Sequence, residues 1–259
     1  MRRTLAACLV VAGSLPLVAA ALPDAAGRAP SRDAGALERL EAAGVPSAPL
    51  RLAARAFACG RARGEFEAPI LTLVDYTLPS TERRLWVLDL ADGAVRFHEL
   101  VTHGRESGLR HARSFSNVPG SLQSSLGLFR TAETYLGRHG YSLRLVGLEP
   151  GTNDLAAERG IVVHGADYAT ADFAASRGRL GRSWGCPALD PTVHRDVIDT
   201  IRDGTALFAY YPETSWLGSS PFLHCENAPL PQPDHARSPL SPGHGFGFLP
   251  VSLGTARAR

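Results

Sequence analysis

The chain contains no lysine: all 27 of its basic residues are arginine. Chemistry through an ε-amine, such as Schiff-base formation, is therefore excluded. Apart from the N-terminus there is no long apolar run, which rules out a polytopic membrane protein. Neither a Cys-x-x-Cys pair nor a His-Glu-x-x-His motif occurs, so no metal and no cofactor is implied. Basic charge is not in surplus either. Residues 1–21 carry two arginines and no acid, and without them 25 basic residues face 25 acidic ones. A nucleic-acid binder normally keeps a basic excess or stripe, so no nucleic-acid partner is expected. What remains is 259 residues of globular composition, 44% hydrophobic and 20% charged.

Residues 1–21 read as an export signal. Arg2 and Arg3 open it, Leu5 to Val18 form the apolar stretch, and Ala19-Ala20-Ala21 offer a small-residue cleavage site. An uncut anchor is the alternative. The expected location is outside the cytosol, in the periplasm or cell envelope. Of four cysteines, Cys59, Cys186 and Cys225 would survive cleavage. Cysteines in an oxidising compartment tend to pair, and three cannot pair fully. The economical arrangement bridges Cys59 to Cys225 and leaves Cys186 free, although spacing alone does not set connectivity.

Residues 22–67 read as a linker followed by two short helices, at 36–43 and 50–58. From residue 68 the pattern turns to strands: Ile70 to Tyr76, Arg84 to Leu90, and Ala94 to Val101 after the hairpin signal Asp92-Gly93. Ser142 to Leu148 and Gly160 to His164 read as further strands. Asp190-Pro191 starts a helix, Gly204 ends it, and Ala206 to Tyr211 is a final strand. The main folded unit is expected at 68–213, and residues 214–259 read as a Pro- and Gly-rich tail.

Chemistry concentrates in two neighbouring segments. Val162-Val163-His164-Gly165 delivers a histidine at a strand end, and Ser183-Trp184-Gly185-Cys186-Pro187 places a cysteine in a tight turn. A thiol needs a nearby base to become a nucleophile, and imidazole is the natural one. The bland alternative is a satisfied core histidine and a buried, inert thiol.

The segment resembles YkuD-type L,D-transpeptidases, whose signature is His-Gly, a spacer, then Ser/Thr-His/Arg-Gly-Cys. Here His164-Gly165 is followed by 17 residues, 166–182, and then by Ser183-Trp184-Gly185-Cys186. Further stretches resemble one branch, the murein L,D-transpeptidase catalytic domain family. They include Val74-Asp75-Tyr76, Arg84-Leu85-Trp86-Val87-Leu88-Asp89, His139-Gly140-Tyr141-Ser142-Leu143 and Gly147-Leu148-Glu149. The resemblance implies a mostly β fold, a sandwich or squashed barrel with few helices and a short N-terminal helical appendage. It implies a cysteine acyltransferase that takes a peptidoglycan stem peptide as acyl donor and an amine on peptidoglycan or protein as acceptor. Cys186 would be the nucleophile, His164 the base, and Ser183 and Gly185 the supporting turn. Transfer to water, giving an L,D-carboxypeptidase or amidase, stays open, as does a silent wall-binding module.

Two departures stand out. Trp184 replaces the usual His or Arg, and Pro187-Ala188 follows the cysteine where many relatives carry an aliphatic and then a polar residue. Arg182, or Arg179 before it, is expected to supply a guanidinium to a substrate carboxylate. Trp184 and His103 are expected beside the substrate. Pro187 lacks an N–H, which leaves Cys186, Gly185 and Trp184 as candidate oxyanion donors.

Overall fold

Short apolar runs in the 70–101 segment form three strands, and the computed structural model, which describes residues 32–225, pairs them in a meander. Strand β1 (Ile70–Asp75) pairs antiparallel with β2 (Leu85–Asp89), and β2 with β3 (Ala94–Glu99). The chain then makes a long excursion before β4 (Gly127–Gly137), which forms a hairpin with β5 (Gly140–Gly147). Strand β6 (Val162–Gly165) pairs antiparallel with β5, and the short β7 (Ala188–Leu189) lies parallel to β6. Strand β8 (Ala206–Tyr210) inserts between β1 and β4, parallel to the first and antiparallel to the second. The order β3-β2-β1-β8-β4-β5-β6-β7 makes one eight-stranded sheet, the mostly β architecture expected.

Five helices complete the described residues: α1 (Arg32–Ala42), α2 (Ser47–Ala62), α3 (Ala171–Arg177), α4 (His194–Ile201) and α5 (Thr214–Ser219). Helix α2, at the N-terminal side of the strands, packs into the core. Leu50, Ala53 and Phe57 are fully buried in the same core as Leu71, Leu73 and Phe208, because α2 carries an apolar stripe facing β1 and β8. Phe57 stacks on Phe66 at 5.6 Å, and a side chain at Gly60 would collide with the Phe66 ring at 2.2 Å. The packed core therefore includes residues before 68.

It also ends later than residue 213. Trp216, Phe222 and Leu223 are buried, and a Cys59–Cys225 disulfide ties this segment back to α2. Pro-rich composition concealed these three apolar anchors. The Trp216 indole N–H donates to Glu149 Oε2 at 2.8 Å, while Glu149 Oε1 accepts the Leu128 N–H at 2.7 Å. Asn153 closes the knot, donating through Nδ2 to the carbonyls of Leu126 and Leu128. The α4 start is also displaced from expectation. Asp190 caps a turn through Thr192 N, and the helix proper begins at His194. The segment expected to be an export signal, the remainder of the expected linker and the tail beyond residue 225 lie outside the described residues.

Candidate active site

Parallel pairing of β6 and β7 sets His164 directly beside Ala188. Cys186 stands two residues before that position, so the two chemically active residues share one sheet end. Thr102 joins them to the rest of the body: its N–H donates to Ala188 O at 3.0 Å, and its hydroxyl accepts from Ala188 N and donates to Cys186 O.

The turn that presents Cys186 is closed by one serine. Ser183 Oγ donates to Cys186 O at 2.6 Å and accepts from Gly185 N at 3.1 Å. Gly185 adopts φ +127°, and a Cβ there would meet Gln123 O and Ile161 Cδ1, each at 2.7 Å. Glycine is thus required twice over, by conformation and by space. Ser124 locks the outer side, donating to Gly185 O at 3.2 Å and accepting from Gly104 N at 3.0 Å.

Cys186 is the free cysteine among the described residues, and it is 8% exposed. Its thiol points to Gly160 O at 3.7 Å. Burial pushes its pKa up. The Val162 N–H, the guanidiniums of Arg138 and Arg159 and its own N–H pull the other way. His164 is 2% exposed, and burial pushes its pKa below the ordinary value; His139, His194 and Arg138 add to the effect. Its Nδ1 lies 2.9 Å from Gly165 O, so Nδ1 carries the proton and Nε2 keeps its lone pair. Both directions favour a neutral thiol and a neutral imidazole over a preformed ion pair. No hydrogen bond joins Cys186 to His164 among the described residues; the thiol is directed to Gly160 O instead.

A cleft of about 490 Å³ opens beside His164, lined by Arg138, His139, Tyr141, Tyr168, His194 and Arg195 among others. The His139 ring stacks on His164 with centroids 4.5 Å apart. His194 covers Gly165 so closely that a Cβ there would sit 2.8 Å from the ring. Trp184 is 62% exposed, and Arg138 lies over its ring at 5.5 Å. No group of three or more His, Cys, Asp or Glu suited to a metal ion occurs among the described residues.

The geometry engages several of the expected site groups within the protein itself. His103 is fully buried: Nδ1 accepts from Arg84 at 2.8 Å and Nε2 faces Gly108 O at 3.3 Å. Burial and the adjacent Arg84 charge push it down to about 4, which keeps it neutral. Arg182 spends its Nη1 on the carbonyls of Arg105 and Gly108, and Arg179 donates to Leu180 O. Gly185 N–H is taken by Ser183, which removes it from the oxyanion candidates.

Sequence reasoning passed over Arg138, His139 and Arg159. Arg159 braces the loop above Cys186, donating to Ser116 O, Ser125 Oγ, Ser121 Oγ and Gln123 O. Its position before Gly160 carried no motif. Arg138-His139 did carry a signal, since His139-Gly140-Tyr141 stood among the resembling stretches, but nothing in one dimension tied that hairpin to His164.

A family model described as L,D-transpeptidase catalytic domain matches residues 41–210. No curated protein matches the chain. Among solved structures, an L,D-transpeptidase from Mycobacterium smegmatis is similar over 56% of this chain and 59% of its own, with 15% identity and a TM-score of 0.37. An L,D-transpeptidase from Xylanimonas cellulosilytica is similar over 56% and 61%, at 16% identity and TM-score 0.33. The helical cell shape determining protein Pgp2 from Campylobacter jejuni is similar over 62% and 57%, at 14% identity and TM-score 0.36. The matched region thus spans about three fifths of each of these solved chains.

Proposed function

The chain belongs to the L,D-transpeptidase catalytic domain family, and from that premise we propose that it is an exported cysteine acyltransferase acting on peptidoglycan stem peptides. The observation that carries this reading is the placement of Cys186, a free thiol in a turn clamped by Ser183, Ser124 and Thr102, at the same sheet end as a neutral His164.

In the proposed reaction, Cys186 Sγ attacks the carbonyl carbon of the third stem residue while its proton passes to His164 Nε2. The carbonyl oxygen becomes an oxyanion. Pro187 has no N–H and Gly185 N–H is engaged, so the N–H groups of Cys186 and Trp184 are the turn's remaining donors. Collapse breaks the carbon–nitrogen bond, and His164 returns its proton to the leaving amine. A thioester on Cys186 remains. An amine of peptidoglycan or of a protein then attacks the thioester, gives its proton to His164, and leaves with the acyl group. The thiol is restored when His164 returns that proton to sulfur.

Mass spectrometry of muropeptides incubated with the mature protein, with and without an amine acceptor, tests this. Crosslinked or acceptor-linked product that requires the amine is expected. Shortened stem peptide as the sole product in both reactions would mean transfer to water, and an unchanged muropeptide pool would refute acyl transfer.

A further inference from the structure

The cleft beside His164 presents Arg138 from the β4–β5 hairpin, Arg195 from α4, and one carboxylate, Asp167, from the turn after β6. Neither arginine forms an ion pair among the described residues, whereas Arg51, Arg83, Arg96 and Arg144 elsewhere all do. Arg195 rests over the Tyr141 ring at 5.1 Å, and the Tyr141 hydroxyl donates to Asp199 at 2.5 Å.

Arg138 is held differently. Its Nε donates to His139 Nε2 at 3.0 Å, and its face lies over Trp184. Those two contacts orient the guanidinium, while Nη1 and Nη2 make no hydrogen bond to another described residue. An oriented fork with two open donors is the arrangement that takes a carboxylate bidentately. Its charge reaches the reacting groups, since it acts on both Cys186 and His164. Of the other guanidiniums nearby, Arg159 serves four acceptors and Arg182 two carbonyls, while Arg195 lies over the Tyr141 ring rather than against His139.

We propose that Arg138 is the specificity-determining residue of the cleft, gripping the α-carboxylate of the amino acid that leaves during acylation. The proposal rests on the acyl-transfer reading above. His164 must hand its proton to the departing amine, and in an amino-acid leaving group one carbon separates that nitrogen from the α-carboxylate. Arg138 is linked to His164 through the stacked His139 ring, so a leaving group that takes its proton from His164 departs next to this guanidinium. Trp184 explains itself in the same arrangement: its exposed ring is the platform that fixes the fork.

The test uses the full mature chain and two L,D-linked tetrapeptides that differ only in a terminal carboxylate or carboxamide. Acylation is measured in single turnover for wild type, Arg138→Gln, Arg138→Lys and, as comparator, Arg195→Gln. Wild type should favour the acid by about ten- to a hundredfold, the range for hydrogen bonds to a charged partner. Arg138→Gln should bring the acid-to-amide ratio close to one. Arg138→Lys should keep part of it, because charge remains and the fork is lost. Arg195→Gln should leave the ratio at its wild-type value. Equal wild-type rates, or a preference that survives Arg138→Gln, would overturn the assignment. A wild type that acylates with neither peptide refutes the acyl-transfer reading instead.

Discussion

Replacing Ser183 with alanine should damage both stability and chemistry, and the structure sets the size of each. Ser183 is 4% exposed, and its hydroxyl makes two hydrogen bonds inside the Cys186 turn. Cys186 O keeps a partner in Thr102 Oγ1 at 3.3 Å, so losing that bond costs about 1 kcal/mol. Gly185 N–H is left buried without an acceptor, which costs roughly 1–3 kcal/mol more. A total of about 2–4 kcal/mol corresponds to a fall in Tm of roughly 5–15 °C for a body of this size. Acylation should fall further, by about a hundredfold, because a turn free to shift by about an ångström misplaces the sulfur. Thermal unfolding and carbapenem acylation of the same preparation, assayed far below the variant's Tm, measure both effects. A variant with wild-type Tm and wild-type rate would refute the clamp. Lost acylation at unchanged Tm would refute it too, placing Ser183 in the chemistry itself.

Other perturbations follow from the same geometry. Burial lowers the His164 pKa, so the base form persists at neutral pH and acylation should decline only as pH drops below about 6.5. His164→Ala should cost about 10²–10⁴-fold near neutrality and less at high pH, where the thiol ionises unaided; a uniform loss across pH would contradict the base role. Burial raises the Cys186 pKa, so alkylation by iodoacetamide should show a midpoint above about 8.5, and a midpoint near 6 would indicate a preformed ion pair. Glu149→Ala strands the Leu128 and Trp216 donors and should destabilise by roughly 2–5 kcal/mol, read by denaturant unfolding. Reducing the Cys59–Cys225 bridge opens a loop spanning 166 positions, worth about 5 kcal/mol in the chain-entropy treatment; an unchanged Tm in reductant would contradict its structural role.

Short apolar strands bounded by turn signals were legible in one dimension. Ile70, Leu88 and Val95 fall in strands within a residue or two of the expected boundaries, and Asp92-Gly93 makes the expected hairpin. The longest strand, β4, was not. Arg130, Thr131, Glu133 and Thr134 give it a polar reading, because the hairpin it forms with β5 is half exposed beyond the β8 edge. That omission propagated into the site, since β4 ends at the hairpin carrying Arg138 and His139. Motif and spacing singled out Cys186 and His164, but that their segments meet at one sheet end is seen only in the fold. The burial of His103 was not legible, because a strand-end His-Gly pair looks the same whether the ring faces a cleft or a buried guanidinium such as Arg84. Pairing partners of buried polar groups are three-dimensional facts, and a linear pattern supplies the groups without the pairs.

Incubating the mature chain with a carbapenem, digesting it and mapping the adduct by mass spectrometry tests the central claim, that Cys186 is the acyl carrier. One adduct, on the peptide containing Cys186 and absent from Cys186→Ala, is the predicted result. An unmodified Cys186 in a preparation that still converts tetrapeptide would contradict it.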